Sequence, residues 1–132
     1  MAPTPEPPVP RIGHDLVDVP RFQGLVEARP ERYEARVFTP GEWAHAASRP
    51  DRWAALAGRF AAKEAAFKVL GTGWGQGVAW TDVEVVGGGR SAPSLKLSGE
   101  AERVAMRMGL TLCLSISHTD ALASAVVYGY PA

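Results

Sequence analysis

The chain has 132 residues, 46% apolar and 21% charged, ordinary proportions for one globular domain. Lys plus Arg and Asp plus Glu are 14 each, so no global field steers the chain to nucleic acid or to a membrane surface. The single cysteine, Cys113, excludes an intrachain disulfide and a thiolate metal cluster, and no apolar run reaches the ~18 residues of a membrane span.

Met1 to Pro10 carries five prolines and lacks the basic-then-apolar pattern of a signal sequence. It is expected to be a disordered leader to a domain spanning residues 11–132. Ile12 to Val19 alternates as a strand, with Ile12, His14 and Leu16 on one face and Gly13, Asp15 and Val17 on the other. Pro20 ends it. Phe22, Leu25 and Val26 have helical spacing, which predicts a short helix closing before Pro30. Thr39-Pro40-Gly41-Glu42 has the form of a capping box with Pro at the first helical position, opening a helix towards Ala47. The dominant helix is predicted over about Asp51 to Leu70. Trp53, Leu56, Ala57, Phe60, Phe67 and Leu70 form its apolar stripe, alanine favours it, and Gly71 supplies a left-handed stop.

Gly71 to Gly77 is a glycine-rich loop, suited to close approach by a ligand. Thr81 to Val86 and Ser94 to Leu97 read as strands joined through Gly87 to Arg90. Ser98 to Met108 reads as a helix capped by Ser98 and stopped by Gly109. Leu110 to Ser117 alternates, and His118 to Ala121 joins it as a hairpin to a strand over Ala121 to Tyr128. Cys113, inside an apolar run, is expected to pack in the core. The sum is an α+β fold, an antiparallel sheet packed on one long helix.

Glu64 and Lys68 are four apart, so they share a helical face about 6 Å apart along the axis. Spacing alone reads them as a surface pair giving ~0.2–0.5 kcal/mol. Arg59 and Lys63 are also four apart, and their like charges repel unless an anion lies nearby. With Lys68 they set three cations and one carboxylate ahead of the glycine loop, an arrangement that suits phosphate. Asp15, a carboxylate in an apolar strand, needs a partner or an exposed strand end. Two carboxylates and a lysine make a plausible magnesium–phosphate constellation, since magnesium takes few carboxylates and fills its shell with water and substrate phosphate. Ser117-His118-Thr119-Asp120 reads as a turn held by its own side chains, and adjacency in sequence is not triad geometry. His14 and His45 lack the spacing of zinc ligands. The loop GTGWGQG matches neither a Walker loop nor a dinucleotide fingerprint.

Three segments together resemble one family, the holo-acyl-carrier-protein synthases, the short type of phosphopantetheinyl transferase. They are Ile12-Gly13-His14-Asp15, Leu56 to Lys68 (LAGRFAAKEAAFK) running into Gly71-Thr72-Gly73, and Ser115-Ile116-Ser117-His118-Thr119. The resemblance implies a cytoplasmic, magnesium-dependent enzyme that transfers 4'-phosphopantetheine from coenzyme A to an acyl carrier protein of fatty-acid or polyketide synthesis. It implies that Asp15 and Glu64 hold magnesium beside the pyrophosphate and act in catalysis with Lys68, which contacts the phosphates. Arg59 is directed at a coenzyme A phosphate, Gly71, Thr72 and Gly73 line the cofactor cleft, and Ser117, His118 and Thr119 approach the nucleotide end. It further implies a homotrimer with active sites between subunits, and carrier docking near Arg21 on the first helix. On this reading Phe60, Phe67 and Leu70 hold the long helix to the sheet while Glu64 and Lys68 face the cleft. The sequence departs from the pattern at His14, where a small or aliphatic residue is more usual. The residues by themselves leave open a coenzyme A-binding module without catalysis, which would need neither carboxylate, and a structural subunit of a larger synthase.

Overall fold

The computed structural model describes residues 9–72 and 77–132. Strand β1 (Arg11–Asp18) passes into α1 (Val19–Ala28), where the Asp18 side chain accepts from the Arg21 amide at 2.8 Å and Pro20 occupies the first turn. A short helix, α2 (Pro30–Arg32), runs into a π-helical turn over Tyr33–Val37. Helix α3 (Pro40–Ala47) opens on the expected capping box of Thr39 and Glu42. The dominant helix, α4 (Arg52–Leu70), has 19 residues and stops at Gly71, whose φ of 69° is the left-handed conformation glycine adopts without strain. After a turn at Trp80–Asp82, β2 (Val83–Gly88) and β3 (Ser91–Leu97) form a hairpin. Helix α5 (Gly99–Met108) follows, without a hydrogen bond from the Ser98 side chain, and then β4 (Leu110–His118) and β5 (Leu122–Pro131).

The strands make two sheets: an antiparallel three-stranded sheet in the order β1-β5-β4, and the β2-β3 hairpin. Helix α4 lies against the inner face of the larger sheet at very short range. A Cβ added to Gly13 would sit 2.0 Å from the Ala65 carbonyl oxygen, and one on Gly129 would sit 2.8 Å from Val69 Cγ1. On the helix side, a Cβ at Gly58 would meet Ile116 Cγ2 at 2.8 Å. Ala61, Ala62, Ala65 and Ala66 are fully buried. The alanine richness of α4 therefore serves close packing as much as helix propensity.

The expected anchoring of α4 is only part of the picture. Phe67 and Leu70 do pack with Leu110 and Val127. The aromatic contacts of Phe60 and Phe67 run elsewhere: Phe60 lies between Phe22 at 5.1 Å and Trp80 at 5.2 Å, and Phe67 meets Trp80 edge-on at 5.0 Å. Small residues bring helix and sheet to backbone range. The expectation for Cys113 is corrected, because it is exposed. Leu110, Leu112, Leu114 and Ile116 turn towards the core, so the alternation of the strand turns Cys113 outward, opposite Tyr128. That outward face carries a large apolar share, with Ile12, Leu16, Leu122, Val126, Tyr128 and Tyr130 all exposed.

Candidate active site

Gly13 sets the position of Asp15. Both side-chain positions point at α4, and the missing Cβ lets β1 lie on the helix backbone one residue pair away from Asp15. Lys68 Nζ reaches back from α4, donating to the His14 carbonyl at 2.7 Å and lying 3.4 Å from Asp15 Oδ1. Glu64, one turn earlier on the same face, is half-buried. Burial holds its carboxyl above the usual glutamate range, the Asp15 charge adds to this, and Lys68 pulls the other way. Asp15, Glu64 and Arg21 share a cleft of about 430 Å³ with Phe60, Leu25 and Leu122.

Two carboxylates in mutual repulsion, compensated by one half-exposed lysine, fit a divalent cation that takes part of its shell from a bound phosphate. Among the described residues no group of three or more His, Cys, Asp and Glu side chains comes together. The donor set thus suits magnesium with substrate oxygens better than a metal caged by protein alone.

The other two cations of the helix go elsewhere. Lys63, read from sequence as part of a phosphate set, is fully buried. Its Nζ pairs with Glu42 Oε1 at 2.7 Å and donates to the carbonyls of Val83 at 2.6 Å and Trp80 at 3.0 Å. Glu42, the capping residue of α3, is buried with it and also accepts from the Val85 amide at 2.9 Å. Sequence suggested a like-charge repulsion between Arg59 and Lys63. The remedy is a carboxylate from another helix, not a substrate.

Arg59 is buried too, but it borders a second cavity of about 180 Å³, with His45, Arg49, His118 and the Gly88-Gly89 turn. Its Nη2 donates to the Gly87 carbonyl at 2.6 Å, and its Nε has no hydrogen-bond partner among the described residues. Arg49 pairs with Asp51 at 2.8 Å, and His118 Nε2 stands 3.5 Å from the same carboxylate. Neither His45 nor Arg49 stood out in the sequence. They are distant from Arg59 along the chain, and only the packing of α3 and the β2-β3 turn against α4 brings them together.

The remaining expected residues are more scattered. Thr119 Oγ1 accepts from the amides of Ala121 and Leu122 at 3.2 and 3.1 Å, closing the hairpin turn. Ser117 lies on the outward sheet face, opposite Ser124. Gly71 sits beside the Arg11 guanidinium, and Thr72 Oγ1 is buried with no hydrogen-bond partner among the described residues. Gly73 lies outside the described residues. The chain thus presents two separate sites. Arg59 and Glu64 are five residues apart, about 140° around the helix, so the arginine cavity and the carboxylate cleft open on different sides of α4.

An α+β chain thus sets paired carboxylates in one cleft beside a lysine, and clustered cations at a separate cavity, groups suited to a divalent cation and to anions. The family model of the 4'-phosphopantetheinyl transferase superfamily matches residues 11–126. The holo-[acyl-carrier-protein] synthase of Solibacter usitatus is 42% identical over 116 residues, covering 87% of this chain and 93% of its own. The crystal structure of Helicobacter pylori holo-[acyl-carrier-protein] synthase in complex with coenzyme A superposes with a TM-score of 0.77 at 29% identity, over 91% of this chain and all (100%) of that one. A "Chronobacterium ammoniagenes ACPS-CoA complex" does so with a TM-score of 0.79 at 31% identity, over 94% and 98%. The chain belongs to the 4'-phosphopantetheinyl transferase superfamily. It is a phosphopantetheinyl transferase with the fold of the holo-acyl-carrier-protein synthases.

Proposed function

We propose that the chain transfers 4'-phosphopantetheine from coenzyme A to a serine of an apo-acyl carrier protein, using magnesium, in a cytoplasmic homotrimer. The observation that carries this is the meeting of Asp15 and Glu64, from β1 and α4, in one cleft, with Lys68 Nζ 3.4 Å from Asp15 Oδ1. The serine Oγ attacks the β-phosphorus of coenzyme A. The Oγ–P bond forms as the P–O bond to adenosine 3',5'-bisphosphate breaks. Asp15 and Glu64 would hold the magnesium, which neutralises pyrophosphate charge when bound. Lys68, held near Asp15 and half-exposed, stabilises charge on the leaving phosphate. The serine proton would pass to Glu64, whose carboxyl is held above the usual range, or to a water beside it. Positioning and charge neutralisation do most of the work in such a transfer.

Arg59 and His118, at the second cavity, would receive the nucleotide end of coenzyme A. Gly71, Thr72 and Gly73, with Ser117 and Thr119, would complete the cofactor-binding surface. The two sites face different sides of α4, and the outward face of the β1-β5-β4 sheet carries a large apolar share. A second and third copy packed on that face would bury it and bring the cleft of one subunit to the cavity of its neighbour. Arg21 and the exposed Leu25 of α1 border the carboxylate cleft and offer a docking point for an acidic carrier.

The test is direct. The protein is incubated with coenzyme A, magnesium and a panel of apo-carrier proteins from fatty-acid, polyketide and peptide synthases, and the products are weighed intact. A mass gain of one phosphopantetheine on a carrier is expected. No gain on any carrier refutes the reading.

A further inference from the structure

The cavity beside Arg59 contains a side chain that the reading above does not use. We propose that His45 is a specificity-determining residue for the nucleotide end of coenzyme A, taking up a proton from solvent as a phosphate monoester seats among His45, Arg49 and Arg59. This rests on the transferase reading and deepens it.

The geometry carries the proposal. His45 stands in the last turn of α3, Arg49 just beyond it, and Arg59 one side of α4. All three converge on one glycine turn. A Cβ built at Gly88 would lie 3.6 Å from both Nη atoms of Arg59 and 3.8 Å from His45 Cε1, and one at Gly89 would lie 3.6 Å from Arg49 Nη1. The cations thus surround a stretch of bare backbone, where an anion can approach closely. Arg59 is 5% exposed, makes its hydrogen bond to a carbonyl and not to a carboxylate, and has its Nε without a partner among the described residues.

Charge matching singles out His45. Asp51 offsets one of the two guanidiniums, leaving about one positive charge for a monoester that carries nearly two negative charges at neutral pH. A protonated imidazole would supply the balance. The candidates are His45 and His118. His118 already faces Asp51 at 3.5 Å. His45 faces Arg49 and Arg59, with Asp51 a weaker influence, Glu84 across a neighbouring groove from β2, and the Glu42–Lys63 pair closed on itself. Burial and the two guanidiniums hold its imidazole below the ordinary value, so without an anion it is neutral at pH 7. A phosphate reverses that balance. Affinity for the phosphate must then fall as pH rises through the histidine's bound-state value.

The experiment measures binding of coenzyme A and of 3'-dephospho-coenzyme A to the full-length protein, wild type, His45→Gln and His118→Gln, by calorimetry from pH 5.5 to 8.5 in two buffers of different ionisation enthalpy. The wild type should take up part of a proton with coenzyme A and not with the dephospho compound. His45→Gln should lose most of that uptake and about tenfold of the preference for the 3'-phosphate near pH 6.5. His118→Gln should keep the uptake. Dividing the wild-type preference by that of His45→Gln cancels the phosphate's own ionisation, and this ratio should decline towards one above pH 8. A ratio flat in pH, or proton uptake intact in His45→Gln, overturns the inference while leaving the transferase reading standing. Failure of the wild type to bind coenzyme A overturns both.

Discussion

The buried pair Glu42–Lys63 gives the sharpest quantitative test of how the hairpin is fixed to α4. Lys63→Met removes an ammonium with no exposed surface, and strands Glu42 as a buried carboxylate. Breaking such a pair costs about 3–5 kcal/mol, a large share of the ~5–15 kcal/mol that holds a typical domain. For a chain of this length that is a fall in Tm of about 11–18 °C. A second step discriminates further. Replacing both partners with apolar residues often restores stability, but here it should not. The pair also satisfies the carbonyls of Trp80 and Val83 and the amide of Val85. Each buried backbone group left unpaired costs about 1–3 kcal/mol. Glu42→Leu with Lys63→Met should therefore remain at least about 3 kcal/mol below wild type in urea denaturation. A double variant as stable as wild type would show that the backbone bonds contribute little, and the reasoning would fail.

Gly13→Ala should be insoluble or lose more than about 3 kcal/mol, because its Cβ would overlap the Ala65 carbonyl and neither backbone can give way; a variant that melts like wild type would contradict the packing described. Glu64→Gln should lose roughly 100-fold or more in transfer, yet melt above wild type at pH 7 in metal-free buffer. The sign follows from its raised carboxyl: the fold binds that proton more tightly than the unfolded chain does, so the charged form costs stability at neutral pH, and the cost vanishes as pH falls below the ordinary glutamate value. The thermal advantage should accordingly disappear by about pH 4, and an equal difference at both pH values would count against the account. Leu16→Lys, on the exposed sheet face, should convert the proposed trimer to monomer in light scattering and abolish transfer together with it. A monomeric variant with full activity would exclude shared active sites.

Much of the fold was legible because its signals are local. Thr39 and Glu42 announce α3, Gly71 and Gly109 end α4 and α5 with left-handed backbone, and alternation sets the faces of β1 and β4. The same alternation, followed strictly, places Cys113 outside, although its apolar sequence neighbours point to the core. Glu42 shows the limit of a local signal. The capping box is real, with the Thr39 amide donating to Glu42 Oε1 at 2.9 Å, but the same carboxylate also neutralises a lysine from another helix.

The four-residue spacing inside α4 explains why its chemistry was only half legible. Residues four apart share a face, so the sequence pairs Arg59 with Lys63 and Glu64 with Lys68. It does not say what each face meets. Folding answers differently for each. One face, at Gly58, Ala61 and Ala65, meets the large sheet at backbone contact. Another takes Arg59 and Lys63 to the β2-β3 hairpin, Lys63 to lock it and Arg59 to border the cavity at its turn. A third takes Glu64 and Lys68 to Asp15. Lys63 and Glu64 are neighbours in sequence, and the 100° between them separates a structural charge from a chemical one. The buried ion pair holds the start of β2 through Val83 and Val85, and Arg59 holds the turn at Gly87, so the attachment of the hairpin and the shape of the arginine cavity rest on neighbouring side chains of one helix face.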